Sequence, residues 1–571
     1  MSVNAEVAQV LYEIGELLSI KGDRFRSRAF LMAAQRVTAL TEDIRKIRER
    51  GELQGIPGVG KSIAAIIEEF LDTGESRQLE EMRESLPQGV RDLMQLGGVG
   101  PKIAMRLNSE LGIVSIDELE SAVKAGKLLD LKGFGAKTEE NLLKSIEEFR
   151  GRQERFLLGE ILPVIDEIIS HMSGSKAVLN VEVAGSARRW KETVGDLDVL
   201  VSSNNPDEAT ERFVSMPRVS RIISQGTTRS TIVIGNRLQV DLRVVPPSSY
   251  GAALQYFTGS KEHNIKLRSI SVKKRFKLSE YGLFERDSDR QVAGETEEGV
   301  YKVLGMDWIE PELRENRGEI EAAMKGQLPR LITMRDVKGD LHVHTKWSDG
   351  SATIKEMSDK AKQLGLEYIA VCDHSKSLGI ARGLDEARLR EQMAEIDRLN
   401  EQLEDFTVLK GVECDIKADG SLDLPDAVLR DLDFVVASVH SGFKADEERT
   451  TRRVVSAIHN DYVSTIGHPT GRLLLKRQSY ALDLDEVLKA AATQDIMLEI
   501  NAFPDRLDLD DVNSRAAMEQ GVMMSIGTDA HGLSQLEFLP LGVEVARRGW
   551  LEAKNVANSL SAKELLKRLK G

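Results

Sequence analysis

Cysteine is almost missing from this chain. Cys372 and Cys414 are the only two among 571 residues, too few for a disulfide framework, and each lies in an apolar, strand-like run that suits a buried free thiol. Long apolar runs are missing as well. No segment reaches the length of a bilayer span, and residues 1–10 lack the charged-then-apolar order of a secretion signal, so a cytoplasmic protein without a membrane partner is expected. Only 14 prolines occur, and 41% hydrophobic with 30% charged residues excludes a disordered chain. Positive charge is in deficit, giving a net charge of -14. The deficit is uneven: residues 340–571 hold 29 basic against 40 acidic residues, residues 1–339 hold 49 against 52. Polyanion binding is therefore expected to be local and to fall in the first 339 residues, while the C-terminal acid suits metal ligands and a solvated surface.

The length predicts about three to five domains. Apolar residues at helical spacing run through 5–18 and 62–71, and few strand-like runs interrupt the first 150 residues. Three glycine turns punctuate this stretch, each ahead of a helical pattern: Gly55 to Lys61 with Gly58 and Gly60, Leu96 to Lys102 with Gly98 and Gly100, and Leu131 to Lys137 with Gly133 and Gly135. Such a turn leaves backbone N–H groups uncovered at a helix N-terminus, where the dipole also favours an anion. The spacing, closed by Lys61, Lys102 and Lys137, matches the helix-hairpin-helix motif, whose phosphate contacts hold DNA without reading its sequence. One copy is as well explained by an ordinary glycine-capped turn; three copies point to DNA.

From about residue 181 the pattern turns β-branched, with runs at 181–184, 196–201, 230–234 and 238–245 that predict a mixed sheet. Gly185, Ser186 and Arg189 precede Asp196 and Asp198, which alternation places on one face of a strand. Asp241 lies inside an apolar run, a poor place for an uncompensated charge. On a neighbouring strand it completes a three-carboxylate site for two Mg²⁺ ions, suited to in-line phosphoryl transfer. The Gly-Ser turn is expected to hold a triphosphate, with Arg189 adding charge-assisted contacts. A basic helical stretch at 251–275 follows, and residues 305–339 read as a connection.

These features resemble the family X DNA polymerases, the group that includes polymerase beta, over roughly the first 320 residues. The run Tyr256-Phe257-Thr258-Gly259-Ser260 is similar to the family's thumb segment. The resemblance implies that Tyr256, Phe257 and Gly259 shape the sugar pocket of an incoming deoxynucleoside triphosphate, and that Asn264 and Arg268 contact the nascent pair and template. In one respect the chain departs from the family. Where the lyase domain of polymerase beta-like proteins has an imine-forming lysine, this chain has Ile66, so deoxyribose-phosphate lyase activity is in doubt and a DNA-binding role is expected for that domain.

Six of the nine histidines fall in one pattern after residue 340. His342 and His344 sit two apart on a strand, followed by Asp349; His374, Glu413, His440, His468, and Asp529 with His531 then close further apolar runs. The runs, at 339–345, 368–373, 408–415, 434–440, 463–468, 497–502 and 523–529, make seven strands. Ligands that recur at the carboxyl ends of parallel strands suit a β/α barrel. The arrangement resembles the polymerase and histidinol phosphatase (PHP) family of phosphoesterases, built on a distorted seven-stranded barrel with up to three metals. The resemblance implies one ion on His342, His344, Glu413 and Asp529, a second on Asp349, His374 and His531, and a third on Glu413, His440 and His468. Mixed nitrogen and oxygen ligands favour Mn²⁺ or Zn²⁺ over Mg²⁺. Lys376, Arg382, Asn501 and Arg506 are candidate phosphate-gripping residues near the ligand loops.

The expected fold is multidomain, α+β and α/β: a lyase-like helical domain at 1–80, fingers at 81–150, a nucleotidyltransferase palm at 151–245, a thumb at 246–318, a linker at 319–338 and a PHP barrel at 339–571. The expected enzyme is a monomeric DNA-directed DNA polymerase acting on gapped or nicked DNA in base-excision repair. Its barrel is expected to be a 3′-5′ exonuclease, with AP-endonuclease or 3′-phosphatase action as family traits. The rivals are a small-molecule phosphatase fused to a polymerase and a non-catalytic scaffold for DNA ends.

Overall fold

The computed structural model describes residues 3–20, 22–38, 40, 44–73, 76–84, 90, 93, 96, 99, 101–128, 135, 138–139, 141–143, 145–146, 155–235 and 238–569. The chain divides into two compact units, Met1–Glu154 and Arg155–Gly571.

The first unit is helical, and its described residues contain no strand. Leu11, Ile14, Phe30, Ala33 and Ile67 belong to one core, built from helices Val3–Ile20, Arg24–Thr38 and Lys61–Thr73; Leu93, Leu107, Leu119 and Ile146 belong to a second. Amphipathic spacing accounts for both, since the apolar stripe of each helix faces the core.

In the second unit, five strands form a mixed sheet: β1 (Asn180–Val183), β2 (Leu197–Ser202), β3 (Val219–Gln225), β4 (Arg229–Ile234) and β5 (Leu238–Val245), in the order β1-β2-β5-β4-β3. Only β2 and β5 are parallel neighbours. Leu197, Val199 and Val201 pack into a core with Ile161, Ile165 and Ile168 of helix Leu158–Ser173 and Phe213 of helix Pro206–Val214. Alternation then sends Asp198 to the opposite face. Strand β3 escapes the sequence pattern because most of its residues are exposed, which leaves little periodic signal.

Helices Tyr250–Thr258 and Lys261–Lys273 and a three-stranded antiparallel sheet follow. Residues 319–338 do not behave as a solvated linker. They carry helix Glu319–Lys325, bury Ile320, Ala323 and Ile332, and are stitched to the barrel by a 3.0 Å hydrogen bond from Arg547 Nη1 to the Ile332 carbonyl.

Seven parallel strands form the barrel in chain order: β6 (Gly339–Val343), β7 (Tyr368–Val371), β8 (Thr407–Asp415), β9 (Phe434–Ser438), β10 (Thr465–Ile466), β11 (Met497–Asn501) and β12 (Met524–Gly527). Backbone bonds close it just past the strand ends, from Asp529 N to the His342 carbonyl and from His344 N to the Ala530 carbonyl, both 2.8 Å. Cys372 and Cys414 are buried free thiols. Among the described residues no helix is long and apolar enough to cross a membrane.

Candidate active sites

Strands β2 and β5 run in register, so Asp198 and Asp241 are direct neighbours, and Asp196 stands just before β2. Burial, then the charges of Asp196 and Asp241, push the Asp198 carboxyl up to about 7. Three carboxylates crowded this way are a donor set for divalent cations. Thr231 Oγ1 at 2.5 Å and Gln239 Nε2 at 2.8 Å donate to Asp241 and fix it. Gly185 is required here: its φ is +61°, and a Cβ would fall 2.5 Å from Asp198 Oδ2. Ser186 follows on the short helix Gly185–Arg188.

Arg189, expected to contact a triphosphate, is engaged within the chain. Its Nε donates to Glu315 Oε1 at 3.1 Å and its Nη1 to the Thr258 carbonyl at 2.5 Å. Arg188 makes a fork on Glu297 with two bonds of 2.9 Å, and the fully buried Arg314 makes another on the same carboxylate, at 2.6 and 3.1 Å. Burial opposes charge on Glu297, but the two guanidiniums hold its carboxyl down at about 2. The Gly185–Arg188 turn is thus clamped to the segment that carries Glu297. Tyr256 and Phe257 are half-buried and meet edge to face at 5.2 Å, just before Gly259. Arg268 is exposed, its guanidinium 6.0 Å from the Tyr256 ring. Asn264 is buried and already partnered, donating to the Tyr256 carbonyl at 2.6 Å and accepting from Gln255 at 2.7 Å.

Of the three glycine turns, the first is described completely. Gly58 (φ +91°), Gly60 and Lys61 are exposed, and the Gly60 carbonyl accepts from Ile63 N and Ala64 N to begin helix Lys61–Thr73. Lys102 falls on helix Pro101–Leu111. The carbonyl of the exposed Gly135 accepts from Thr138 N at 2.8 Å. Gly98, Gly100, Gly133 and Lys137 lie outside the described residues.

All nine candidate ligands of the barrel converge. His342, His344 and Asp529 form one group of ligand atoms, His344 with Asp349, His374 and His531 a second, and His374 with Glu413 and His440 a third. His468 Nε2 joins Glu413 Oε1 at 2.9 Å. Against the expected sets, the first group lacks Glu413, the second gains His344, and the third has His374 in the place of His468. Glu413 lies amid the cluster: its Oε2 is 3.6 Å from His342, 3.7 Å from His344 and 2.7 Å from His374, and its Oε1 is 3.2 Å from His440. Burial by itself opposes its charge, yet His440, His374 and His342 hold Glu413 well below the usual carboxylate range. Burial, then repulsion from His531 and His374, pushes His344 down to about 3, the neutral form that binds a metal.

DNA polymerase beta thumb is the family matched by residues 253–315, and PHP domain the one matched by residues 340–503. Residues 2–76 match a helix-hairpin-helix domain and 90–148 a SAM-like helix-hairpin-helix tandem. Over 563 residues the chain is 38% identical to DNA polymerase/3′-5′ exonuclease PolX of Bacillus subtilis (strain 168), covering 98% of both chains. The chain belongs to the family X DNA polymerases. DNA polymerase lambda of Rattus norvegicus is 27% identical over 345 residues, 55% of this chain and 56% of that one. This family X polymerase is also similar to a probable phosphatase of Thermoanaerobacter sp. (strain X514), 35% identical over 204 residues, 34% of this chain and 78% of the phosphatase.

The donor set of the family X barrel fits divalent cations. His344 Nδ1, His468 Nδ1, His374 Nδ1 and Glu413 Oε2 are buried without a hydrogen-bond partner; the 2.7 Å approach of the last two lacks hydrogen-bond geometry. Buried polar atoms are rarely left so unless a ligand takes them. Sequence reading missed the carboxylates behind these ligands. Glu499 Oε1 lies 2.6 Å from His342 Nδ1, its Oε2 accepts from His468 N at 2.6 Å, and Asp415 Oδ1 lies 2.5 Å from His440 Nδ1. A carboxylate behind a ligating imidazole fixes its tautomer and direction. The signal was present in Glu499, an acid inside an apolar run like Asp241. Of the four candidate phosphate grips, Lys376 and Arg382 are exposed, Asn501 donates to Glu499 and Asp529 at 3.2 Å each, and Arg506 Nε stands 3.4 Å from Asp529.

Proposed function

We propose that this chain fills short gaps in DNA during base-excision repair and trims 3′ ends with its barrel. The observation that carries the reading is the presence, in one compact unit, of two separate clusters of metal-ligating side chains. Asp196, Asp198 and Asp241 serve as the catalytic carboxylates of the palm, with Gly185 and Ser186 facing the triphosphate and Tyr256, Phe257 and Gly259 shaping the sugar pocket. Two Mg²⁺ ions bound there would neutralise charge developing on the attacking and leaving oxygens. Arg189, Asn264 and Arg268 act on nucleotide and template, the first two after leaving their present partners. The hairpins at Gly58, Gly60 and Lys61, at Gly98, Gly100 and Lys102, and at Gly133, Gly135 and Lys137 hold phosphates of gapped or nicked DNA. Ile66 is buried in the N-terminal core and has no amine, so lyase activity is not expected.

In the barrel, His342, His344, Asp349, His374, Glu413, His440, His468, Asp529 and His531 hold up to three Mn²⁺ or Zn²⁺ ions. These would supply the nucleophile and Lewis acidity for phosphoester hydrolysis, in a 3′-5′ exonuclease with AP-endonuclease or 3′-phosphatase capacity. Functional division follows residues 1–80, 81–150, 151–245, 246–318, 319–338 and 339–571, with 319–338 a packed connector, and the enzyme works as a monomer. Asp196→Asn with Asp198→Asn should abolish primer extension and leave 3′ trimming; His342→Ala with His440→Ala should do the reverse. Loss of both activities in either variant refutes separate sites. The likeness of part of the chain to a probable phosphatase supports a second reading, in which the barrel is a small-molecule phosphatase, and faster hydrolysis of free phosphomonoesters than of DNA ends would favour it.

A further inference from the structure

The segment that joins the triphosphate turn to the palm carboxylates, residues 188–195, is half-buried and touches the barrel through Arg189, Trp190 and Glu192. Trp190 packs against both the palm core and the barrel core and holds a left-handed φ of 52°. The Arg189 carbonyl accepts from Arg548 Nη1 of the barrel at 2.5 Å. Glu192 makes a two-pronged ion pair with Arg472, one contact at 3.3 Å and a closer one through Nη2.

Arg472 is a junction. Its Nε donates to the Arg506 carbonyl at 3.0 Å, its Nη2 to the Leu507 carbonyl, and its Nη1 lies 3.5 Å from Asp510. It follows His468 by four residues, on a loop whose Thr470 is tied to Asp508 through its amide, at 3.1 Å, and its hydroxyl, at 2.9 Å. On the other side, Arg506 Nε stands 3.4 Å and Asn501 Nδ2 3.2 Å from Asp529 Oδ2, which turns Oδ1 toward His344 Nε2 at 3.0 Å. Leu507 sits at a left-handed φ of 43°, a backbone state that persists only where surrounding contacts hold it. The carbonyls of Arg506 and Leu507 receive that hold from Arg472, and Glu192 neutralises the guanidinium that supplies it.

We propose that Glu192, a palm residue, is a positioning residue for the metal cluster of the barrel, acting through Arg472 on segment 503–510 and so on Asp529 and the His468 loop. Without Glu192 the buried guanidinium loses its main counter-charge, turns toward Asp510 or water, and releases both carbonyls. Asp529 then loses its fixed direction. The polymerase fold thereby becomes a structural part of the nuclease. This rests on the reading of the barrel as a metal centre.

The test is a Mn²⁺ titration of the full chain followed by electron paramagnetic resonance of the free ion, with Asp196→Asn and Asp198→Asn throughout so that the palm takes no ion. Glu192→Gln should weaken Mn²⁺ binding about tenfold, the lower end for loss of a partner behind a metal ligand. Its 3′ trimming should return at saturating Mn²⁺, which a misfolded barrel would not allow. Arg472→Gln should act alike, and adding Glu192→Gln to it should change nothing more. Arg472→Lys, which keeps charge but loses the fork, should shift affinity the same way by less. Mn²⁺ affinity in Glu192→Gln equal to that of the reference chain overturns the proposal alone; a reference chain that binds no Mn²⁺ overturns it together with the metal reading of the barrel.

Discussion

Replacing Gly185 by alanine tests the palm at its tightest point. The residue holds φ at +61°, a state that disfavours an L side chain by about 1–2 kcal/mol. The larger effect is local. A Cβ would meet Asp198 Oδ2 at 2.5 Å, against 3.4–4 Å for ordinary contact, so the carboxylate must retreat by about 1 Å, enough to reduce catalysis about 100-fold. Single-turnover extension of a primer across a one-nucleotide gap measures this, and 3′ trimming by the same protein serves as the internal control. Gly185→Ala should lose extension and retain both trimming and its cooperative melt. Undiminished extension in a folded Gly185→Ala protein would refute the claim that Asp198 acts from its place against this turn.

Glu499→Gln leaves one donor, His342 Nδ1–H or His468 N–H, facing an amide NH₂; calorimetric Mn²⁺ affinity should fall about 10–100-fold while primer extension with Mg²⁺ holds. Glu544 lies on helix Leu539–Arg548 beside Glu312, and burial, then the Glu312 charge, keep its carboxyl well above the ordinary range. A raised carboxyl binds its proton more tightly when folded, so its stabilising share is complete below the unfolded pKa and is lost as pH climbs toward the folded one. Glu544→Gln should accordingly raise Tm by about 2 °C or more at pH 8–9 and change little at pH 4, as read by calorimetry across pH. Ile66 offers no amine, so borohydride should trap no adduct with incised abasic DNA beyond what the exposed Lys61 of helix Lys61–Thr73 supplies, and Lys61→Arg should remove that remainder.

Backbone periodicity made much of this legible. Alternation in β2 and a lone acid in the apolar run of β5 marked Asp198 and Asp241 as partners on neighbouring strands, while the parallel register that sets them side by side is a tertiary feature. In the barrel, each apolar run except 497–502 carried a candidate ligand within it or next to its end, and strand order followed chain order. Side-chain partnerships were less legible. Arg189 meets Glu315, 126 residues away, and Asn264 turns to Gln255 and a backbone carbonyl; such choices depend on tertiary neighbours that no local pattern encodes. Residues 319–338 read as a linker because proline and mixed charge masked the few apolar residues, Ile320, Ala323 and Ile332, that anchor them. Glu499 was overlooked although the reasoning applied to Asp241 would have found it.

The most direct measurement is product length from a 5′-labelled, one-nucleotide-gapped duplex incubated with Mn²⁺, with and without deoxynucleoside triphosphates. The native chain should lengthen the primer when nucleotides are present and shorten it when they are absent. Asp196→Asn with Asp198→Asn should yield only shorter products, and His342→Ala with His440→Ala only longer ones. A palm variant that no longer shortens the primer, or a barrel variant that no longer extends it, would contradict two independent phosphoryl-transfer centres in this chain.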